Sequence, residues 1–114
     1  MNRAQVTVFA ALSAALAVAA GAYGAHAAPT AQAADWLATG SFYQMVHAVA
    51  AIALASRYPR IAALLLAGAA LFALTLYAMA LGAPRWLGAV TPIGGVMMIA
   101  GWVTLAALAA RKAD

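Results

Sequence analysis

The sequence predicts an all-α polytopic membrane protein, a compact bundle of four transmembrane helices that forms a single domain over residues 1–114. Four apolar stretches contain no Asp, Glu, Lys or Arg, and a bilayer core of about 30 Å needs about 20 such residues per helix. Hydrophobic residues make up 68% of the chain and charged residues only 7%, so a water-soluble fold could not cover the apolar surface. The expected spans are about 5–25, 40–56, 61–82 and 87–110.

The basic residues predict how these helices are oriented. If all four helices span the membrane, one side carries Arg85 together with Asp35, and the other side carries Arg3, Arg57, Arg60, Arg111 and Lys112. The positive-inside rule then places both termini in the cytoplasm, and we expect a multi-pass protein of the bacterial inner (plasma) membrane. The net charge of +4 reflects this orientation, and nucleic acid is not an expected partner.

The first apolar stretch has two interpretations, a membrane span or a secretory signal. Ala25, His26 and Ala27 resemble a signal-peptide cleavage site, but the run before them is about 19 residues, longer than the 7 to 15 typical of a signal peptide. We therefore expect this helix to be retained as a span that ends near Gly24 and Pro29.

The connections predict the remaining boundaries. Thr30 is a good N-cap for a short helix through residue 38 that Gly40 would close, and we expect this helix to lie in the membrane interface with Trp36 at headgroup depth. Pro59 in the turn 56–60 makes the second and third helices an antiparallel hairpin. Residues 82–85 form the next turn, followed by Trp86 as an interface anchor.

Small residues predict where helices approach each other. Helices in lipid associate through close packing, which favours glycine and alanine along one face. Glycine inside a helix costs about 1 kcal/mol relative to alanine, so its placement there indicates a tight contact or a bend. The expected packing positions are Gly21, Gly94, Gly95 and Gly101.

Polar side chains within the spans are concentrated in the predicted outer half. His47 shares a helical face with Tyr43 and Gln44, and His26 shares one with Tyr23. If the first two helices are neighbours, both histidines are expected to line one cavity. An ionisable residue at this depth indicates a functional site by default, but a neutral histidine also joins helices by hydrogen bonds. The pocket candidates are Tyr23, His26, Tyr43, Gln44, His47, Tyr77 and Thr91.

Catalytic and cofactor signatures are not found in the sequence. The chain has no cysteine, and its acids, Asp35 and Asp114, both lie in polar flanks, so paired-carboxylate chemistry is not expected. The two histidines lack the close spacing of a metal site. We therefore expect no enzyme activity, no metal site and no cofactor.

Four segments resemble a known family in order and spacing. They are GAYGAH at 21–26, YQMVHA at 43–48, LGAVTPIGG at 87–95 and GW at 101–102. The chain resembles the domain of unknown function 423 family, small YgdD-like bacterial inner-membrane proteins with transmembrane protein 256 as their eukaryotic relative. Many members carry a more polar SGSLY run where this chain has ALTLY at 73–77. The resemblance implies a four-helix membrane protein with its first helix retained, and no established activity.

The expected function is that of a non-enzymatic accessory or scaffold protein whose outer-half polar pocket binds a lipid or a partner helix. Membrane lipids are the expected partners, with a membrane protein or a second copy of the chain as alternatives. A small oligomeric transporter or channel is one other interpretation, which polar residues continuing through both halves would favour. A quinone-linked or metal-linked redox accessory subunit is another, which requires His26 and His47 to face one pocket.

Overall fold

A computed structural model describes residues 1–113, over which the chain forms four long α-helices and one short 3₁₀ helix. All four α-helices are long and apolar enough to cross a membrane. Asp114, one of the two acids noted above, lies outside the described residues. The elements are α1 (Arg3–His26), α2 (Ala31–Leu54), α3 (Pro59–Ala80), the 3₁₀ helix (Arg85–Ala89) and α4 (Thr91–Lys112).

Local chemistry explains where the helices begin. Asn2 and Gln5 form a capping box at the start of α1. Thr30 caps α2, as the sequence predicts, by accepting a hydrogen bond from the backbone N–H of Ala33 at 3.0 Å. Pro59 opens α3, where its missing N–H costs nothing. After α3 the chain reverses through Gly82, whose φ of 103° favours glycine.

The prediction of a short interfacial helix over residues 30–38 is wrong. Helix α2 runs without interruption from Ala31 to Leu54, so the second span begins well before residue 40. Gly40 lies buried within α2 against Tyr77, and a Cβ added to Gly40 would stand 2.6 Å from Cε1 of that ring. Contact with α3 therefore offsets the usual cost of a glycine inside a helix.

The α2–α3 hairpin forms the centre of the fold. Helix α1 packs against α2 and also touches α3, whereas α4 packs on α3. Ala62, Leu65 and Ala69 of α3 are completely buried. Apolar residues of α1, α2 and α3 make one core cluster near each end of this trio. The hydrogen bonds of Ser13 and Ser41, described below, lie between the two clusters.

The two ends of the helices differ in charge. We call them the Arg57 end, which holds the α2–α3 turn, and the Arg85 end, which holds the other two connections. The ammonium group of Lys112 lies 4.8 Å from the centroid of the Tyr58 ring, so the end of α4 meets the α2–α3 turn. Arg3 begins α1 at the same end, where Val6 packs against Ala55.

Glycine residues allow the backbones of α3 and α4 to approach each other closely. A Cβ on Gly94 would stand 2.5 Å from the carbonyl oxygen of Gly68, and a Cβ on Gly101 would stand 2.6 Å from Cδ2 of Leu65. Gly95 differs, because a Cβ there would meet nothing nearer among the described residues than Phe72 at 4.0 Å.

Glycine also lines the contacts around α2. A Cβ on Gly21 of α1 would stand 2.8 Å from Oγ of Ser41. Gly24 and Gly40, which were not among the expected packing positions, are equally confined. Gly68 of α3, also not expected, is confined in the same way by α4.

Candidate functional site

Gln44 of α2 is the centre of a polar contact between three helices. Its side chain is 2% exposed, and its Oε1 accepts a hydrogen bond of 2.7 Å from the hydroxyl of Tyr77 on α3. Its Nε2 donates to Oγ of Ser13 on α1 at 3.1 Å. One turn of α2 away, the hydroxyl of Ser41 donates to the carbonyl of Ala17 on α1 at 2.7 Å. These bonds hold α1, α2 and α3 together between the two apolar clusters.

His47 joins α2 to α4. Its Nδ1 lies 2.7 Å from the carbonyl oxygen of Tyr43, and the indole N–H of Trp102 donates to its Nε2 at 3.0 Å. A carbonyl only accepts and an indole N–H only donates, so these bonds require a neutral ring with its proton on Nδ1. Both ring nitrogens are occupied, and the contacts match those of a histidine that joins helices.

Thr91 links the start of α4 to α3. Its Oγ1 lies 2.6 Å from Oγ1 of Thr75, and both residues are buried. Backbone carbonyls of the preceding turn also lie within hydrogen-bond distance of each hydroxyl, so one threonine donates to the other hydroxyl and the second donates to a carbonyl. Each hydroxyl therefore has a partner, and the pair fixes α4 against α3 near the Arg85 end.

The remaining pocket candidates lie at the protein surface. Tyr43 is 44% exposed, and its ring packs on Phe72 with centroids 4.9 Å apart. Tyr23 is 39% exposed and His26 is exposed at the end of α1. The structure does not bring His26 and His47 to one cavity. His26 ends α1 at the Arg85 end, whereas His47 lies about 24 Å along α2 from Ala31, buried against Trp102. His47 is therefore in the half of α2 nearer the Arg57 end, and its expected place in the outer half is wrong.

A surface cavity of about 500 Å³ lies at the Arg85 end. Tyr23 and Thr30 line it, together with Gln32 and Trp36 from the start of α2. The Nη2 group of Arg85 donates to Oε1 of Gln32 at 2.6 Å, and the guanidinium carbon of Arg85 is 5.9 Å from the centroid of the Trp36 ring. These two contacts position the guanidinium at the wall of the cavity.

A second cavity of about 410 Å³ is an elongated groove between α1 and α3. We call it the α1–α3 groove. Apart from Ser13 and Gln44, the walls of this groove are apolar, and they include Leu12 and Leu16 of α1 and Ala67 and Leu74 of α3.

The described residues 1–113 contain no group of three or more His, Cys, Asp or Glu side chains that could hold a metal ion. In the same residues, every buried side-chain nitrogen and oxygen has at least one hydrogen-bond partner. The chemistry that the arrangement offers is therefore hydrogen bonding, with the charge of Arg85 at one end.

Sequence reasoning missed the partners of several predicted residues. Ser13 and Ser41 lie on opposite sides of the α1–α2 contact, and Trp102 of α4 is far from His47 in the chain. Arg85 and Gln32 are also distant in sequence, 53 positions apart. Their polar character within or beside apolar stretches is a signal, but it does not identify which residues meet.

Helices of this length and composition, joined by hydrogen bonds between their side chains, define a polytopic integral membrane protein. The family described as "Protein of unknown function (DUF423)" matches residues 20–95. The chain belongs to this family, whose matched relatives carry the name UPF0382.

Curated relatives align with most of the chain. A UPF0382 membrane protein of Haemophilus influenzae is 38% identical over 106 residues, which cover 84% of this chain and 86% of the relative. The UPF0382 inner membrane protein YgdD of Escherichia coli K12 is 37% identical over 109 residues, covering 86% and 83%. A UPF0382 membrane protein of Staphylococcus saprophyticus is 35% identical over 108 residues, covering 86% and 90%. No solved structure matches the chain significantly.

Proposed function

We propose that the protein is a non-enzymatic accessory or scaffold protein of the bacterial inner membrane that binds the headgroup of an anionic phospholipid at its Arg85 end. The observation that carries this proposal is the cavity whose wall holds the guanidinium of Arg85 between Gln32 and Trp36. The name of the Escherichia coli relative, inner membrane protein YgdD, supports the location.

The charge of Arg85 favours an anionic ligand. Gln32 is neutral, so its amide orients the guanidinium without cancelling its charge. A guanidinium binds phosphate with charge-assisted hydrogen bonds. Trp36 and Trp86 flank this end of the helices, and tryptophan is enriched at the depth of lipid headgroups.

The interior polar side chains support a structural role for the helices themselves. Gln44, His47 and Thr91 each bond to a side chain on another helix. A transporter or channel needs polar groups that line a path through the membrane, and these three side chains are used in contacts between helices. An accessory protein that binds a lipid or a partner at its surface does not need free polar groups inside the bundle.

We propose an orientation in which both termini are cytoplasmic and the Arg85 end faces outward. Five basic residues at the Arg57 end support it, namely Arg3, Arg57, Arg60, Arg111 and Lys112. Because the chain has no cysteine, each introduced cysteine is unique. In intact cells, an impermeant maleimide is expected to label Trp36→Cys and Arg85→Cys. The variants Tyr58→Cys and Lys112→Cys are expected to react only after the membrane is opened, and the reverse pattern would overturn the orientation.

Lipid binding is tested by titrating the purified protein in mild detergent with phosphatidylglycerol or phosphatidylethanolamine and measuring bound lipid by native mass spectrometry. The wild-type protein is expected to prefer the anionic lipid. Arg85→Gln is expected to weaken phosphatidylglycerol binding about five- to tenfold, because hydrogen bonds to charged groups contribute about 1.5–3 kcal/mol and part of this is screened by water.

The matched control is Arg60→Gln, which removes one positive charge at the Arg57 end. It is expected to leave the lipid preference unchanged. The same loss in both variants would show a general charge effect, and no loss in Arg85→Gln would exclude the cavity as the lipid site.

A further inference from the structure

The α1–α3 groove has a polar point at about half the depth of the membrane. Ser13 follows the first residue of α1 by ten positions, which places it about 15 Å along a helix of 24 residues. The groove extends from there toward the Arg57 end, where Met1 and Ala63 contribute to its walls. Its volume of about 410 Å³ lies in the range of small-molecule sites.

The hydrogen bonds leave donors available at this point. The Ser13 hydroxyl accepts from Gln44 and makes no other hydrogen bond to residues 1–113. An amide nitrogen carries two hydrogens, and Nε2 of Gln44 uses one of them on Ser13. Gln44 is 2% exposed but also lines the groove. The groove therefore offers an O–H and an N–H donor surrounded by apolar side chains.

The Gln44 amide lies between Tyr77 and Ser13. The Tyr77 side chain is 7% exposed, and its hydroxyl donates to Oε1 of Gln44 at 2.7 Å. Nε2 of Gln44 donates to Oγ of Ser13 at 3.1 Å, and both residues line the groove. The oxygen of Gln44 therefore faces Tyr77, and the nitrogen faces Ser13 at the wall of the groove.

We propose that the α1–α3 groove binds a lipid-soluble molecule with a carbonyl group, of the chemical class of the quinones, whose carbonyl oxygen accepts hydrogen bonds from Ser13 and Gln44. A hydrocarbon tail alone fills the groove but leaves both donors unpaired. The ester carbonyls of a phospholipid lie near the membrane surface, roughly 15 Å from the middle of the bilayer core, so they do not reach Ser13. This site is separate from the lipid site proposed at the Arg85 end and does not depend on it.

The test compares two probes with the same tail, decylubiquinone and decylbenzene, of which decylbenzene has no carbonyl. Binding is measured as the excess of each probe in nanodiscs that contain the protein over empty nanodiscs. The wild-type protein is expected to bind decylubiquinone more tightly than decylbenzene. Ser13→Ala is expected to weaken decylubiquinone binding about three- to tenfold, the effect of one hydrogen bond in a membrane, and to leave decylbenzene binding unchanged.

A matched pair of variants tests the location of the site. Ala67 is exposed on the wall of the groove, so Ala67→Phe is expected to abolish the binding of both probes. Ala106 is exposed on α4, which does not line the groove, so Ala106→Phe is expected to change neither affinity. Thermal melting shows whether each variant is folded.

Two results would overturn the proposal. Equal affinities of the wild-type protein for the two probes would mean that the groove recognises only hydrocarbon. No excess of decylubiquinone over empty nanodiscs would mean that the groove does not bind this class of molecule. Both results come from the wild-type protein, so they hold even if Ser13→Ala is unstable.

Discussion

Gly94→Ala is expected to lower the free energy of unfolding in detergent by about 2 to 3 kcal/mol, the upper part of the range for an overpacked core. The added Cβ would stand 2.5 Å from the carbonyl oxygen of Gly68 and 2.5 Å from the backbone nitrogen of Phe72. Neither atom belongs to a side chain that can rotate away, so α3 and α4 must move apart. The helix propensity of alanine returns only about 1 kcal/mol.

The adjacent residue provides the control for this prediction. At Gly95 the same Cβ would meet nothing nearer in the described chain than a ring carbon of Phe72 at 4.0 Å. Gly95→Ala is therefore expected to leave stability unchanged or to raise it by up to about 1 kcal/mol. Thermal or denaturant unfolding of the two variants measures the difference. Equal stability of Gly94→Ala and Gly95→Ala would mean that the backbones of α3 and α4 are not in close contact at Gly94.

Gln44→Leu is expected to destabilise the protein by about 1 to 2 kcal/mol, although leucine is similar in size and more apolar. The substitution leaves the hydroxyl of Tyr77, a residue that is 7% exposed, without its hydrogen-bond partner. An unpaired buried polar group costs about 1–3 kcal/mol, more than a typical intact hydrogen bond contributes. Hydrogen bonds between membrane helices contribute free energies at the lower end of this range.

A second substitution separates this cause from a packing defect. Tyr77→Phe removes the hydroxyl that Gln44→Leu leaves unpaired, and replacing both partners by apolar groups is close to neutral. The double variant is therefore expected to be more stable than Gln44→Leu alone. The free energies of unfolding of the two single variants and the double variant, each compared with the wild-type protein, form a double-mutant cycle that measures this coupling. A double variant whose loss equals or exceeds the sum of the two single losses would contradict this account.

The polar residues of the site were recognisable from the sequence, but their arrangement was not. Gln44, His47 and Thr91 are visible because a polar side chain in an apolar span must find a partner. Their partners Ser13, Trp102 and Thr75 come from other helices, and helix spacing relates only residues within one helix. The expectation that His26 and His47 share a cavity relied on helix order and on a second span that begins near residue 40. Because α2 begins at Ala31, His47 lies about 24 Å from the end of the helix that meets His26.

Apolar length and composition, together with Thr30, Pro59 and the basic residues, were sufficient to predict an α-helical membrane protein with its turns near the observed positions. These features act locally, through the cost of placing charge in lipid and through backbone geometry, so they are readable along the chain. Only the tertiary structure showed that α2 continues through Gly40, because the compensating contact comes from Tyr77 on another helix. The cavities that carry both proposals were likewise decided by tertiary packing, since their walls combine residues distant in sequence, such as Gln32 with Arg85 and Ser13 with Ala67.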